Sequence, residues 1–292
     1  MRLRAITRTI ALVGVVGVIA AACGGGGGGG ASPSAPASAA NSPKPGGSVV
    51  LGAEQWPQCV NPITSCAEAS WLYYPVVYPI LPRAMAVDLK GNFVASPLLT
   101  EAPSLANGDL QQNPFTVTFK INPAAKWDDG SPITSADFEF TWKAILDTKG
   151  TLSTTGYDQI TSVDTSDPHT AVVHFSKVYV DWADLFGGST GWVLKKSAFP
   201  NANASKPDLS GEMTTSIPFS GGPWKMQSWS KQQEVLVPNT NYWAHKPYLS
   251  QVTFIPIEDQ PTEINSLLSG QVKAIFPQPS NVSLLKIGRA HV

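Results

Sequence analysis

The sequence has few charged side chains, few cysteines and no cluster of basic residues. Lysine, arginine, aspartate and glutamate together make up 14% of the 292 residues, and the formal net charge is -1. A surface that binds phosphates needs clustered lysine and arginine, so this composition argues against a nucleic-acid partner. The hydrophobic content of 42% is that of a chain that buries a core. We therefore predict a globular domain that binds no nucleic acid.

The N-terminus has the features of a secretory signal. Three arginines precede a short apolar run at residues 10–22, which is shorter than the roughly 20 residues of a membrane-spanning helix. The small residues before Cys23 resemble a lipoprotein signal, in which cleavage leaves that cysteine as a lipid-modified N-terminus. A permanent membrane span is the alternative. We predict a signal at residues 1–22, lipidation at Cys23 and contact with the membrane through the lipid anchor only.

A low-complexity tract follows the signal. Residues 23–46 consist mainly of glycine, serine, alanine and proline and carry almost no charge. Such a composition cannot bury enough apolar surface to fold, so we predict a disordered tether. Together with the signal, the tether indicates a folded domain, residues 47–285, that is held outside the membrane.

The C-terminal end has an unusual sequence. Residues 286–292, KIGRAHV, are what the common short-read sequencing adapter encodes when it is read in frame. We interpret them as an artefact appended to an interrupted gene, which makes the chain the front part of a longer protein. A genuine basic tail is the alternative, and sequencing the locus past the codon for Leu285 distinguishes the two.

Two cysteines lie close together in the folded part. Cys59 and Cys66 occur in QCVNPITSC, and in an oxidising compartment such a pair closes a small loop, so we predict a disulfide. A metal site is the alternative, but two thiols without a nearby histidine or second cysteine pair fall short of the usual zinc set. The sequence contains no P-loop, nucleophile elbow or zinc signature, and we predict neither a cofactor nor enzymatic activity.

Hairpins and helices alternate along the folded part. FTVTFKI alternates apolar and polar residues as a half-buried strand does, and ITSVDTSDPHTAVVHFS has the pattern of a hairpin. In KWDDGSPITSADFEFTW, a turn precedes Thr134 and Asp137, whose spacing predicts a capped helix start. PTEINSLLSGQVKAIF predicts a helix from Pro261 to Ser269 and then a strand. This interleaving favours a mixed α/β architecture.

Seven segments resemble, in this order, the extracytoplasmic solute-binding proteins of the oligopeptide and dipeptide type, family 5, that serve ABC importers. The segments are GGSVVLGAE, DLKGNFVASPLLTEAP, KWDDGSPITSADFEFTW, ITSVDTSDPHTAVVHFS, FSGGPWKMQSW, NTNYWAHKPYLSQVTFIPI and INSLLSGQVKAIF. They extend from about Gly46 to Phe276. Two features depart from the family: SGGPW stands where GTGPY is usual, and the cysteine pair is not general.

The resemblance implies an α/β, two-lobed, periplasmic-binding-protein-like fold of class II whose second lobe is mostly missing. Residues 47–285 then form the first lobe, with a small extra subdomain at about residues 75–165. The implied function is that of a monomeric lipoprotein on the outer face of the cell membrane, which captures peptides and delivers them to ABC permease subunits. The alternatives are another solute, such as a sugar, nickel or another metal chelate, or a secreted hydrolase or surface receptor.

The resemblance also places a ligand cleft at the end of the first strand. Glu54 is a candidate partner for a ligand amine and Trp56 for stacking, and a surface carboxylate and a loop anchor are the alternatives. The aromatic residues near position 71 line either the cleft or the core. For the glycines at 221–222, we expect a role in backbone geometry rather than in ligand contact. The candidate ligand-binding residues are Glu54, Gln55, Trp56, Trp71, Tyr74, Gly222 and Trp224.

Overall fold

The computed structural model describes residues 44–188 and 190–287. The predicted signal, the lipidation at Cys23, most of the tether and residues 288–292 lie outside the described residues. The strands are β1 (Ser48–Ala53), β2 (Met85–Val87), β3 (Phe93–Ala95), β4 (Leu110–Gln112), β5 (Phe115–Lys120), β6 (Ile160–Asp167), β7 (Thr170–Phe175), β8 (Trp224–Trp229), β9 (Glu234–Pro238) and β10 (Gln251–Pro256). The α-helices are α1 (Tyr78–Ile80), α2 (Ser135–Asp147), α3 (Gln260–Leu268) and α4 (Val282–Ile287). Within the described ranges, no helix has both the length and the apolar character to cross a membrane.

The first sheet joins the first strand of the described chain to its last three strands. Its strand order is β1-β10-β9-β8, with β1 parallel to β10 and the remaining pairs antiparallel. On the other side of β1, Leu51 forms an isolated parallel bridge with Ala274, and Gly52 N donates to Ala274 O at 3.0 Å. The sequence predicted a strand after Gly270, but only this single bridge forms, so the predicted strand is too long. The chain then reaches Pro277, which has no N–H to donate to a sheet.

The second sheet is antiparallel, with the order β4-β5-β7-β6, and α2 packs on it. The predicted alternation in β5 is confirmed on its apolar face, because Phe115, Val117 and Phe119 are buried. Thr134 and Asp137 form the predicted capping box at the start of α2. This sheet and helix form the scaffold beside which the other elements pack.

Two carboxylates of the DDG turn connect separate parts of the fold. Asp128 accepts a hydrogen bond from Ser220 N at 2.9 Å and pairs with Lys225 of β8 at 2.8 Å. Asp129 pairs with Lys195, and this contact is the main reason that the pKa of Asp129 lies below its usual range. Asp128 therefore holds the turn against the first sheet, and Asp129 connects the turn to the segment that contains Lys195.

The segment between β1 and β2 is helical but irregular. Two 3₁₀ turns, Ser65–Glu68 and Ser70–Leu72, lead into a π-helical turn, Tyr73–Val77, and then into α1. Proline at positions 75 and 79 removes backbone donors, which prevents a regular α-helix across this segment. A disulfide joins Cys59 to Cys66, which lies in the first of these turns, with a Cα–Cα distance of 5.2 Å.

Candidate functional site

The carboxyl end of β1 is the edge of the first sheet at which the candidate site lies. There β1 has parallel neighbours on both sides, namely β10 and the bridge at Ala274. Ligands of open α/β sheets bind beyond the carboxyl ends of parallel strands, where successive segments leave the sheet in different directions. Glu54 is the first residue after β1, and Phe276 follows the bridge by two residues.

Glu54 is held by donors from two distant segments. Its Oε1 accepts from Trp71 Nε1 at 3.5 Å, and its Oε2 accepts from Gln278 Nε2 at 3.0 Å. The residue is half-buried. An ionised carboxylate has about four acceptor positions, so these two bonds leave capacity for a donor on a ligand. The contacts fix the orientation of the carboxylate without saturating it.

The Trp71 ring that donates to this carboxylate packs against two other aromatic rings. The Trp71 ring lies 5.5 Å from that of Tyr74 and 6.1 Å from that of Phe276, and the Tyr74 and Phe276 rings are 6.2 Å apart. Trp71 is buried, whereas Tyr74 is 50% exposed and Phe276 is 56% exposed. We call the group formed by Glu54, Trp71, Tyr74, Phe276 and Gln278 the Glu54 face. Adjoining exposed rings are typical of a surface that receives a partner or ligand.

A second carboxyl group lies beside the Glu54 face. Glu263 of α3 is buried, its Oε1 accepts from Phe276 N at 3.1 Å, and its Oε2 accepts from Gln260 Nε2 at 2.7 Å. Burial is the main cause that raises the pKa of Glu263, and the nearby charge of Glu54 raises it further. Glu263 positions the backbone that carries Phe276, and the Glu54 carboxylate favours a cationic group at this surface.

The two residues after Glu54 lie in different environments. Gln55 is exposed directly beside Glu54. Trp56 is only 9% exposed, donates from Nε1 to Ser230 O at 2.8 Å, and lies parallel to Trp229 with ring centroids 6.4 Å apart. Trp56 thus anchors the loop after β1 to the β8–β9 hairpin, away from the three rings of the Glu54 face.

The remaining two candidates belong to the loop that enters β8. Gly222 is buried, and its N donates to Ile80 O at 2.8 Å. A Cβ atom at Gly222 would lie 2.2 Å from Pro79 O, so the close approach of two backbones requires glycine there. Trp224 is half-buried at the first position of β8, where it pairs with Pro238. The structure brings Glu54, Trp71 and Tyr74 together and places Gly222 and Trp224 elsewhere on the domain.

Phe276 and Gln278 were not among the residues that the sequence indicated. The sequence pattern places Phe276 at the end of a strand, where an aromatic residue is expected to be buried. The sheet topology could have indicated them. A strand that pairs in parallel beside β1 places the residues that follow it at the same edge of the sheet as Glu54. Over the described ranges, no group of three or more histidine, cysteine, aspartate or glutamate side chains is arranged to hold a metal ion.

Solved structures of solute-binding proteins share this fold. The periplasmic EDTA-binding protein EppA superposes with a TM-score of 0.74 over 85% of this chain and 47% of its own, at 24% sequence identity. At this identity the likeness concerns the fold alone. The mixed α/β architecture is that of periplasmic binding proteins, as the sequence predicted, and the chain matches about half of such a protein.

The family follows from the sequence match. The model described as bacterial extracellular solute-binding proteins, family 5 Middle, matches residues 97–290, and the chain belongs to this family. Among curated relatives, a probable monoacyl phosphatidylinositol tetramannoside-binding protein, LpqW, of Mycobacterium tuberculosis is 33% identical over 144 residues, which are 48% of this chain and 22% of LpqW. The oligopeptide-binding protein OppA of Mycobacterium bovis is 32% identical over 153 residues, 50% of this chain and 25% of OppA. The matched stretch thus covers only about a quarter of the length of these relatives, in a family of solute-binding proteins and not of enzymes.

Proposed function

We propose that this chain is part of the substrate-binding component of an ABC importer, which captures short peptides outside the cell membrane and delivers them to permease subunits. The observation that carries the proposal is the convergence of the Glu54 carboxylate with the exposed rings of Tyr74 and Phe276 at the carboxyl end of β1. A carboxylate with spare acceptor capacity suits the terminal ammonium group of a peptide, and the rings suit apolar side chains. The similarity to an oligopeptide-binding protein supports the choice of peptides.

The predicted arrangement along the chain is part of the same proposal. Residues 47–285 act as one lobe, with the small extra subdomain at about residues 75–165, and a lipid on Cys23 tethers this monomer to the outer face of the membrane. Labelling of the expressed protein with a fatty acid, and loss of the label in Cys23→Ala, tests the anchor. The tether of residues 23–46 then gives the domain reach toward a permease.

The experiment that tests peptide binding is a thermal-shift screen. Mixed short peptides, sugars and metal chelates are added separately to the purified protein, and the peptides are recovered and analysed for cleavage. A ligand that binds only the folded state at 100 times its Kd stabilises that state by about 2.7 kcal/mol, which is readily detected. We expect stabilisation by peptides that are recovered intact. If no peptide stabilised the protein but a sugar or chelate did, the choice of substrate would be wrong. Cleavage of the recovered peptides would favour an enzyme.

A further inference from the structure

The first turn of α3 holds the segment that carries Phe276 and Gln278 through two neighbouring side chains. Gln260 and Glu263 are three positions apart in the helix, so they lie on the same face of it. Glu263 Oε1 accepts from Phe276 N at 3.1 Å, and Gln260 Oε1 accepts from Gln278 N at 2.8 Å. The residue between them, Pro277, has no N–H to donate. The two side chains therefore bind both of the backbone donors of this short segment.

A direct hydrogen bond joins these two side chains of α3, which we call the Gln260–Glu263 pair. Gln260 Nε2 donates to Glu263 Oε2 at 2.7 Å. A backbone N–H can only donate, so the bond from Gln278 N requires the carbonyl end of the Gln260 amide to face that residue. The NH₂ end of the amide then faces Glu263, both of whose oxygens must accept. Each group of the pair thus determines the orientation of the other.

The surroundings of the pair make its hydrogen bonds decisive for the position of the segment. Glu263 has no exposed surface and Gln260 is half-buried, so a donor left without an acceptor there loses its hydration without compensation. The side chains of Phe276 and Gln278 are exposed and contribute little packing of their own. Beyond the bridge at Ala274, the segment is therefore positioned chiefly by its bonds to α3.

Gln278 connects this segment to the Glu54 carboxylate. Its backbone N is bonded to Gln260, and its side-chain Nε2 donates to Glu54 Oε2 at 3.0 Å. A change in the position of Gln278 therefore changes the orientation of the carboxylate. A carboxylate held in one orientation discriminates a charged donor from a neutral one better than a carboxylate that has to be ordered on binding.

We propose that Gln260 and Glu263 are positioning residues of the Glu54 face, which hold Gln278 against Glu54 and thereby set the selectivity for a ligand ammonium group. The part of the proposal that concerns selectivity rests on the proposed function. Loss of the Gln260–Glu263 pair then lowers the preference for a charged ligand without abolishing binding, since the rings of Tyr74 and Phe276 remain.

Exchange of the two side chains tests this hydrogen-bond pattern specifically. In Gln260→Glu two carboxylates face each other, and in Glu263→Gln two amide donors face each other. In the double variant Gln260→Glu/Glu263→Gln, the carboxylate at position 260 accepts from Gln278 N. The amide at position 263 accepts from Phe276 N and donates to that carboxylate. The double variant therefore keeps every one of these bonds and the net charge.

The single variants need two controls. Asn265→Asp adds one negative charge at an exposed position of the same helix, as Gln260→Glu does at a half-buried one. Thermal melts of each variant measure its stability, and Gln260→Glu is expected to fold because position 260 is not fully buried.

Calorimetry with the tripeptide phenylalanyl-alanyl-alanine and its N-acetyl form gives the first readout, which is the ratio of the two affinities. Partial unfolding does not change this ratio, because a smaller folded fraction lowers both affinities equally. We expect the wild-type protein, Asn265→Asp and the double variant to prefer the free amine about tenfold. Each single variant should lose about fivefold of that preference, as expected for residues coupled in one hydrogen-bond network.

The side-chain amide signal of Gln278 in a ¹⁵N-correlated NMR spectrum gives a second readout that needs no ligand. Its absence in Gln278→Ala assigns it, and Glu54→Ala shows its position when the carboxylate is missing. We expect both single variants to move the signal toward that position. The double variant and Asn265→Asp should show it where the wild-type protein does.

Three outcomes would contradict this account in different ways. Single variants that keep both the preference and the Gln278 signal would overturn the proposal. A double variant that behaves like the single variants would also overturn it, because the restored hydrogen bonds would then have no effect. If the wild-type protein showed no preference for the free amine, the proposed function would be wrong. The Gln278 signal alone would then decide whether Gln260 and Glu263 position the carboxylate.

Discussion

Gln278 donates a hydrogen bond from Nε2 to Glu54 Oε2 at 3.0 Å, although 224 positions separate the two residues in the chain. The contact links the segment after α3 to the end of β1. It therefore makes the Glu54 face a composite of the first and last parts of the described domain. A carboxylate oriented from both sides in this way is suited to recognise one charged group in one direction.

Glu234 provides a prediction about pH. It lies at the first position of β9 with no exposed surface, and neither carboxyl oxygen has a hydrogen-bond partner among the described residues. Burial raises its pKa well above the ordinary value of 4.5. The folded state therefore keeps a proton that the unfolded state releases, and the free energy of unfolding falls as the pH rises above 4.5 toward the folded-state pKa. The slope approaches about 1.4 kcal/mol per pH unit.

Glu234→Gln removes this titration, so we expect a flatter dependence of the free energy of unfolding on pH above 4.5. Denaturant titrations at several pH values measure the slope. The same substitution at the exposed Glu258 is the control and should leave the slope as it is in the wild-type protein. If Glu234→Gln and the wild-type protein gave parallel curves, Glu234 would not be protonated in the folded state.

The cap of α2 gives a prediction about stability. Asp137 Oδ2 accepts from Thr134 N at 2.9 Å, and its Oδ1 accepts from Lys196 N at 2.9 Å. Asp137→Ala leaves these donors unpaired in a buried setting, and we expect the free energy of unfolding to fall by about 3 kcal/mol. Glu139→Ala, in the same helix, removes a partly exposed pair with Lys143 and should cost about 0.5 kcal/mol. Similar losses for the two variants in chemical denaturation would refute the importance of the cap.

A substitution at Gly222 tests whether the loop before β8 is needed for packing or contacts the ligand. Because an added Cβ would lie 2.2 Å from Pro79 O, we expect Gly222→Ala to destabilise the protein by about 1–3 kcal/mol through displacement of the backbone. Gly211 is the control, since a Cβ there meets no atom within 4 Å. A Gly222→Ala protein with a wild-type Tm but weaker ligand binding would instead support direct contact between this residue and the ligand.

Local patterns predicted much of this fold. Strand alternation in β5, the hairpin of β6 and β7, and the capping box at Thr134 depend on residues close together in the chain, and the structure confirms them. The strand expected after Gly270 was too long, because sequence periodicity does not show how many of its residues find a partner. The π-helical form of Tyr73–Val77 could not be predicted, since proline restricts a helix without specifying its hydrogen-bonding pattern.

The candidate site was harder to predict because it depends on distant contacts. The family resemblance made Glu54, Trp71 and Tyr74 candidates for the cleft, but no local pattern indicates that Gln278 reaches Glu54. The exposure of Phe276 is equally a consequence of tertiary packing, since aromatic residues in such runs are usually buried. Phe276 and Gln278 can be assigned to the site only when the bridge between Leu51 and Ala274 is known.

Calorimetric comparison of one peptide with a free amino terminus and its N-acetylated form tests the central claim most directly. The pair is titrated into the wild-type protein, Glu54→Gln and the control Glu212→Gln, whose side chain is exposed and is not part of the Glu54 face. We predict that the wild-type protein and Glu212→Gln bind the free amine about tenfold or more tightly, as a charge-assisted hydrogen bond implies, and that Glu54→Gln binds both forms equally. Equal binding of the two peptides by the wild-type protein, or a preserved preference in Glu54→Gln, would contradict the account.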